Sequence, residues 1–111
     1  MHGPRVSDDG SKVTLDLHGA TFDDAIDITV ATLKLASERG RSVVKVIHGS
    51  STSSLLYSNR TIKNELHSML DAGLFDRFVT SSWKADDYLL LSLRLSKKND
   101  PRPITLAEVI R

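Results

Sequence analysis

The sequence contains no cysteine, which excludes disulfides and thiolate metal sites and leaves the redox compartment open. It also lacks a dominant sign of charge, since 15 Lys and Arg against 14 Asp and Glu give a formal net charge of +1. Such a balance creates no global field to draw in a polyanion or an anionic membrane, so a nucleic-acid partner would have to be held by a local patch. No apolar run approaches the roughly 20 residues of a membrane span, and the first residues lack the apolar core of a signal peptide. The expectation is a cytoplasmic protein with no membrane partner. At 111 residues the chain suits one domain with a single core.

What is present is organised around Leu15-Asp16-Leu17-His18-Gly19 and its echo, Val46-Ile47-His48-Gly49. Each reads as an apolar strand that stops at a histidine and then turns at a glycine. With one crossover helix between them the two strands should be parallel neighbours with their carboxyl ends together, the edge at which open α/β sheets bind ligands. The two imidazoles are therefore expected side by side.

Residues 1–11 carry turn formers and charge without periodicity and are expected to be a flexible N-terminal arm. Val13, Leu15 and Leu17 alternate with Thr14, Asp16 and His18 as a strand does, which puts Asp16 and His18 on one face. Thr21 and Asp24 resemble a capping box that opens a helix. Its apolar stripe is Phe22, Ala25, Ile26, Thr29, Val30, Leu33 and Ala36, and it ends at Arg39 and Gly40. Val43 to Ile47 is a short apolar strand. A serine-rich loop from Ser50 to Ser58 leads to a second helix capped by Ser58, Asn59 or Thr61, with Ile62, Leu66, Met69 and Leu70 inward as far as Gly73. A third strand over Phe78 to Trp83 and a fourth over Tyr88 to Leu95 close a hairpin, with Leu89, Leu91, Leu93 and Leu95 on one face. The order predicts an α/β fold of the two-layer α+β kind: a β-α-β-α-β-β mixed four-stranded sheet with two helices on one face. The domain should span 12–96, followed by a tail, 97–111. Within that tail Thr105 and Glu108 match a capping box for a short amphipathic helix carrying Leu106, Val109 and Ile110, too short to be stable alone.

These residues resemble the Smr (small MutS-related) domain: LDLHG at 15–19, an Ala-Ile-containing helix, then His48-Gly49 where that family has HGxG. The likeness covers roughly residues 13 to 95. It implies a fold similar to the C-terminal domain of bacterial translation initiation factor three, and a DNA or RNA partner, in many members an endonuclease that nicks DNA or cleaves RNA. Ser51 and Ser53 stand where the family's second motif continues with glycines, Leu56 stands at its usual arginine, and Lys84-Ala85-Asp86-Asp87 replaces a Gly-rich stretch.

Phosphodiester cleavage needs a base to activate the nucleophile and an acid for the leaving oxygen, and histidine suits both near neutral pH. Asp16, His18 and His48 are the candidate catalytic residues, and Asp16 would orient an imidazole. The same three would be the donors if a divalent metal were the cofactor, although their spacing is not a zinc signature. The structural alternative is that Asp16 accepts local backbone N–H groups at the strand end. Candidate nucleic-acid contacts are Gly19, Gly49, Ser50, Ser51, Thr52, Tyr57, Arg60 and Lys63: hydroxyls and N–H groups of the loop, a ring to stack on a base, and two cations at the start of the second helix. The plainer alternative is a solvated loop with Leu55, Leu56 and Tyr57 tucked onto the core. His67 is expected at the surface of the second helix, and Trp83 half-buried at a sheet end. Three functions follow: an endonuclease, a non-catalytic DNA- or RNA-binding module, and an interaction domain that recruits a partner or a second copy through 104–111.

Overall fold

The structure is a computed structural model that describes residues 3–49 and 61–110. Asp8, Asp9 and Gly10 form a hairpin turn in which the Asp9 carboxylate accepts the N–H groups of Ser11 and Lys12 at 2.9 and 2.7 Å. The turn folds β1 (Arg5–Asp8) back onto β2 (Lys12–Asp16) as an antiparallel pair. The expected loose arm is thus an edge strand, and the sheet has five strands among the described residues rather than four.

Thr21 caps α1 (Phe22–Glu38), its Oγ1 accepting from Asp24 N at 3.2 Å. After α1 come β3 (Val43–Ile47), α2 (Ile62–Asp71), β4 (Val79–Lys84), β5 (Tyr88–Leu93) and α3 (Leu106–Val109). Of the three candidate caps for α2, Thr61 is the one used, accepting from Asn64 N at 3.0 Å. The sheet order is β1-β2-β3-β5-β4, with β2 and β3 parallel and the other pairs antiparallel. The α+β two-layer class is as expected.

Alternate residues of the central strands, among them Val13, Leu15, Val44, Val46, Leu89 and Leu91, are fully buried. Against them pack Ala25, Ile28, Leu33 and Ala36 of α1 and Leu66 of α2. The stripe on α1 is rotated slightly from the apolar reading, for Ile28 is buried and Val30 partly exposed. Thr29 and Thr32 are also fully buried, because each hydroxyl donates to a carbonyl one turn back, Ala25 O at 2.8 Å and Ile28 O at 2.7 Å, and so enters the core satisfied. The last strand ends at Leu93, and Leu95, expected on its core face, is 99% exposed.

The tail docks on its own domain. Ile104 and Val109 are buried, and Arg39 holds the segment by donating to the carbonyls of Arg102 and Pro103 and pairing with Glu108 at 2.8 Å. Lys98 passes over the turn after α1 so closely that a Cβ on Gly40, whose φ is +77°, would lie 1.8 Å from the Lys98 carbonyl oxygen. Gly40→Ala combines a left-handed backbone, about 1–2 kcal/mol for an L-residue, with a clash that must displace the tail. It should cost at least about 2 kcal/mol, read as a lowered urea midpoint at unchanged slope.

Candidate functional site

Strand parity decides which residues can meet. The parallel register pairs Leu15 with Val46 on the buried face and Asp16 with Ile47 on the other, and Leu17 N donates to Ile47 O at 2.9 Å. One step further His48 falls level with Leu17, on the side of the sheet that faces the helices, whereas Asp16 and His18 lie on the open side. The two His-Gly ends are neighbours along the carboxyl edge, but the sheet separates their imidazoles. The expected side-by-side arrangement is not formed, because the two motifs are aligned one residue out of step.

On the open side Asp16 and His18 make a dyad. The Asp16 Oδ1 accepts His18 Nδ1 at 2.5 Å and His18 N at 3.0 Å. Since a carboxylate only accepts, Nδ1 carries the hydrogen, and the neutral ring presents Nε2 with a free lone pair. The His18 side chain is 67% exposed and that of Asp16 33%, so this nitrogen is open to a large substrate. Burial pushes the Asp16 carboxyl up, but the hydrogen bonds from the His18 backbone and ring, with the charges of His18 and Arg5, outweigh it and hold it below its ordinary value. Gly19, with φ +83°, turns the chain away directly after the dyad into α1. Gly3, Arg5, Asp16, His18 and Gly19 line an open concavity of about 480 Å³.

On the helix side His48 and His67 stack edge to face, ring centroids 5.6 Å apart. His48 Nδ1 donates to Gly49 O at 2.7 Å, and the N–H groups of His48 and Gly49 both donate to Asp87 O at 3.0 Å. The second motif is therefore tied to the β4–β5 hairpin by main chain, whatever the charge of Asp87. His48 Nε2 and His67 Nε2 are buried, and among the described residues neither has a hydrogen-bond partner. Lys63 on α2 reaches across to Asp86 at 3.3 Å and is only 12% exposed, so this cation partly neutralises the hairpin acids. Ser50, Ser51, Thr52, Tyr57 and Arg60 lie outside the described residues. Among the described residues no group of three His, Asp or Glu converges as a metal site would require; the dyad offers two donors, and His48 is turned from it.

His67 was expected at the surface, since its sequence neighbours give no hint that the facing strand ends in a second imidazole. Arg5 carries no signal of its own, because its segment has no apolar periodicity, although the Asp9-Gly10 dipeptide after it is a hairpin signal.

The histidine pair makes stability depend on pH. Burial lowers both pKa values. The Lys63 charge adds to this at His48 and the charges of Lys84, His48 and Lys63 at His67, while Gly49 O, Asp86 and Asp87 oppose it at His48 and Asp71 at His67. The unfolded chain, with histidine near 6.5, then binds protons more readily than the folded one. The contribution is intact above that value and is lost as pH falls from it toward the lowered folded values. Urea midpoints should drop between pH 7.5 and 5.5, and the drop should shrink in His67→Phe; an equal drop in both proteins would remove the pair as its cause.

A mixed sheet covered by helices on one side and carrying an exposed, carboxylate-oriented imidazole on the other defines an α+β two-layer domain with a candidate acid–base site at its carboxyl edge. The family comparison agrees: the model of the Smr domain matches residues 15–86, a span that contains both His-Gly motifs, and the chain belongs to that family. Membership places it among nucleic-acid-acting, nuclease-like domains. Comparison with curated proteins and with solved structures gave no match.

Proposed function

We propose that the domain is an endonuclease that cleaves phosphodiester bonds in DNA or RNA by acid–base chemistry at the open side of the sheet's carboxyl edge. The observation that carries this reading is the Asp16 carboxylate on His18 Nδ1, which leaves an exposed Nε2 as base. That nitrogen takes a proton from water or from a ribose hydroxyl as its oxygen attacks phosphorus; the P–O bond to the leaving group breaks, and the leaving oxygen takes its proton from the solvent around this open face. Asp16 fixes the tautomer and stabilises the imidazolium, while Arg5 offsets charge on the phosphate. His48 has a positioning role here, holding the turn at Gly49. Lys63, Gly19 and Gly49, with Ser50, Ser51, Thr52, Tyr57 and Arg60, remain the proposed contacts to the nucleic acid.

A second reading, a binding module without catalysis, is favoured by Ser51 and Ser53 at positions where the family has glycines, since a side chain there restricts close approach of backbone to phosphate. Labelled single-stranded RNA and plasmid DNA, each with Mg²⁺ or with EDTA, separate the two when wild type is run beside the Asp16→Ala, His18→Ala double variant. Cleavage lost in the variant supports the enzyme, and the EDTA lanes decide metal dependence. A salt-sensitive mobility shift without cleavage supports the module. The interaction reading through 104–111 is the weaker one, because Ile104 and Val109 are buried in the domain itself.

A further inference from the structure

The helices cover one side of the sheet, and the open side carries chemistry that the dyad does not use. Cross-strand register places Arg5, Asp16 and Tyr88 in one row, and Lys45 and Trp83 in the next. Trp83 is 65% exposed, an indole facing water from a strand rather than half-buried at a sheet end. Lys45 lies over the Tyr88 ring, its Nζ 4.4 Å from the centroid, which fixes a cation near the centre of the face. The strand positions on this side carry Arg5, Lys12 and Lys45 against one carboxylate, Asp16. A nearly neutral protein has therefore gathered positive charge on the surface that contains the dyad. The start of α1 is a poor alternative for phosphate, since Asp23 and Asp24 occupy its first turn.

We propose that this open sheet face binds the single-stranded part of a nucleic acid, with an unpaired base stacked on Trp83, a phosphate on Lys45, and the strand running on toward Arg5 and the dyad. The proposal rests on the nucleic-acid reading above and names its substrate class. Three strand spacings of ~4.8 Å and two residues of ~3.3 Å separate Trp83 from Asp16, a path of ~16 Å that a few nucleotides of extended strand can follow. A duplex keeps its base faces stacked within the helix and has none to offer the indole; an unpaired base has, whatever its identity. The face thus selects single strands with little sequence preference.

Trp83 is the sole tryptophan of the chain, so its fluorescence reports on this contact alone. Oligothymidylate and oligouridylate should quench it, and a duplex of the same length should not. By anisotropy of a labelled oligonucleotide, Trp83→Ala should weaken binding about fivefold to a hundredfold. Lys45→Gln should reduce the slope of log affinity against log salt by about 0.7, one phosphate's share on a single strand. Both side chains lie outside the core, and the urea midpoint of each variant checks that it folds. An unquenched indole, or Trp83→Ala binding and cleaving as wild type does, overturns this surface and leaves the nuclease reading standing. Wild type that neither binds nor cleaves any probe overturns both. Quenching that survives in the Asp16→Ala, His18→Ala variant supports the surface independently of the chemistry.

Discussion

Asp8→Ala is expected to cost the fold about 3–5 kcal/mol, the range for breaking a buried ion pair by removing one partner. Asp8 and Arg41 are both fully buried as side chains. Arg41 Nε donates to the two carboxylate oxygens at 2.8 and 3.0 Å, and its remaining nitrogens donate to the carbonyls of Arg39, Asp100 and Arg102. Asp8 in turn accepts Gly10 N at 2.8 Å and Ile104 N at 2.7 Å. One carboxylate therefore ties the edge strand, the turn after α1 and the C-terminal segment together. Truncation leaves a guanidinium charge out of water with only carbonyl partners and orphans the Ile104 N–H. Replacing both partners by apolar residues, Asp8→Leu with Arg41→Met, should recover part of the loss, because no charge then remains buried. Burial raises the Asp8 carboxyl, but Arg41 and the N–H groups of Ile104 and Gly10 outweigh it and hold it down. Its contribution is accordingly present above the ordinary value of 3.8 and lost as pH falls through the lowered one. Urea unfolding of Asp8→Leu, Arg41→Met and the double variant closes the cycle; single-variant losses that simply add up in the double would show that the pair is not coupled.

That network also marks where the sequence stops being legible. The central strands, both main helices and the cap at Thr21 follow from alternation, three- and four-residue spacing and hydroxyl chemistry, all local signals. β1 has only one apolar residue, Val6, in four, so alternation had nothing to register, and its place is set by a hairpin turn and by Arg41, 33 residues away. The buried arginines fared likewise: Arg39 reads as a cation at a helix end, and nothing nearby says that its partners are the carbonyls of 102 and 103 and the Glu108 carboxylate. At the site, Asp16 and His18 were legible as one face because they lie two apart where a strand ends. The relation of His18 to His48 was not, since it turns on a register offset of one residue between two strands, which neither motif contains. His67 completes the helix-side pair by tertiary packing alone.

Asp16→Asn and His18→Ala are each expected to lower the cleavage rate about 10²- to 10⁴-fold, the contribution of a positioned general base. The asparagine keeps the shape of the carboxylate and an oxygen for the His18 backbone N–H, so the strand end should survive. It removes the charge that favours the imidazolium, and its amide can turn to donate to Nδ1, which selects the tautomer with the hydrogen on Nε2, the wrong one for a base. His18 is mostly exposed, and its truncation should leave the urea midpoint nearly unchanged. Because the two residues act as one unit, the double variant should be scarcely slower than the slower single one. Single-turnover rates on labelled substrate at fixed salt and pH measure all four proteins. Losses that multiply would mean that Asp16 and His18 act separately, and unchanged rates would take the dyad out of the chemistry. Wild-type binding with near-additive, small losses would instead fit a carboxylate that serves the strand end, as its hydrogen bond to His18 N also allows.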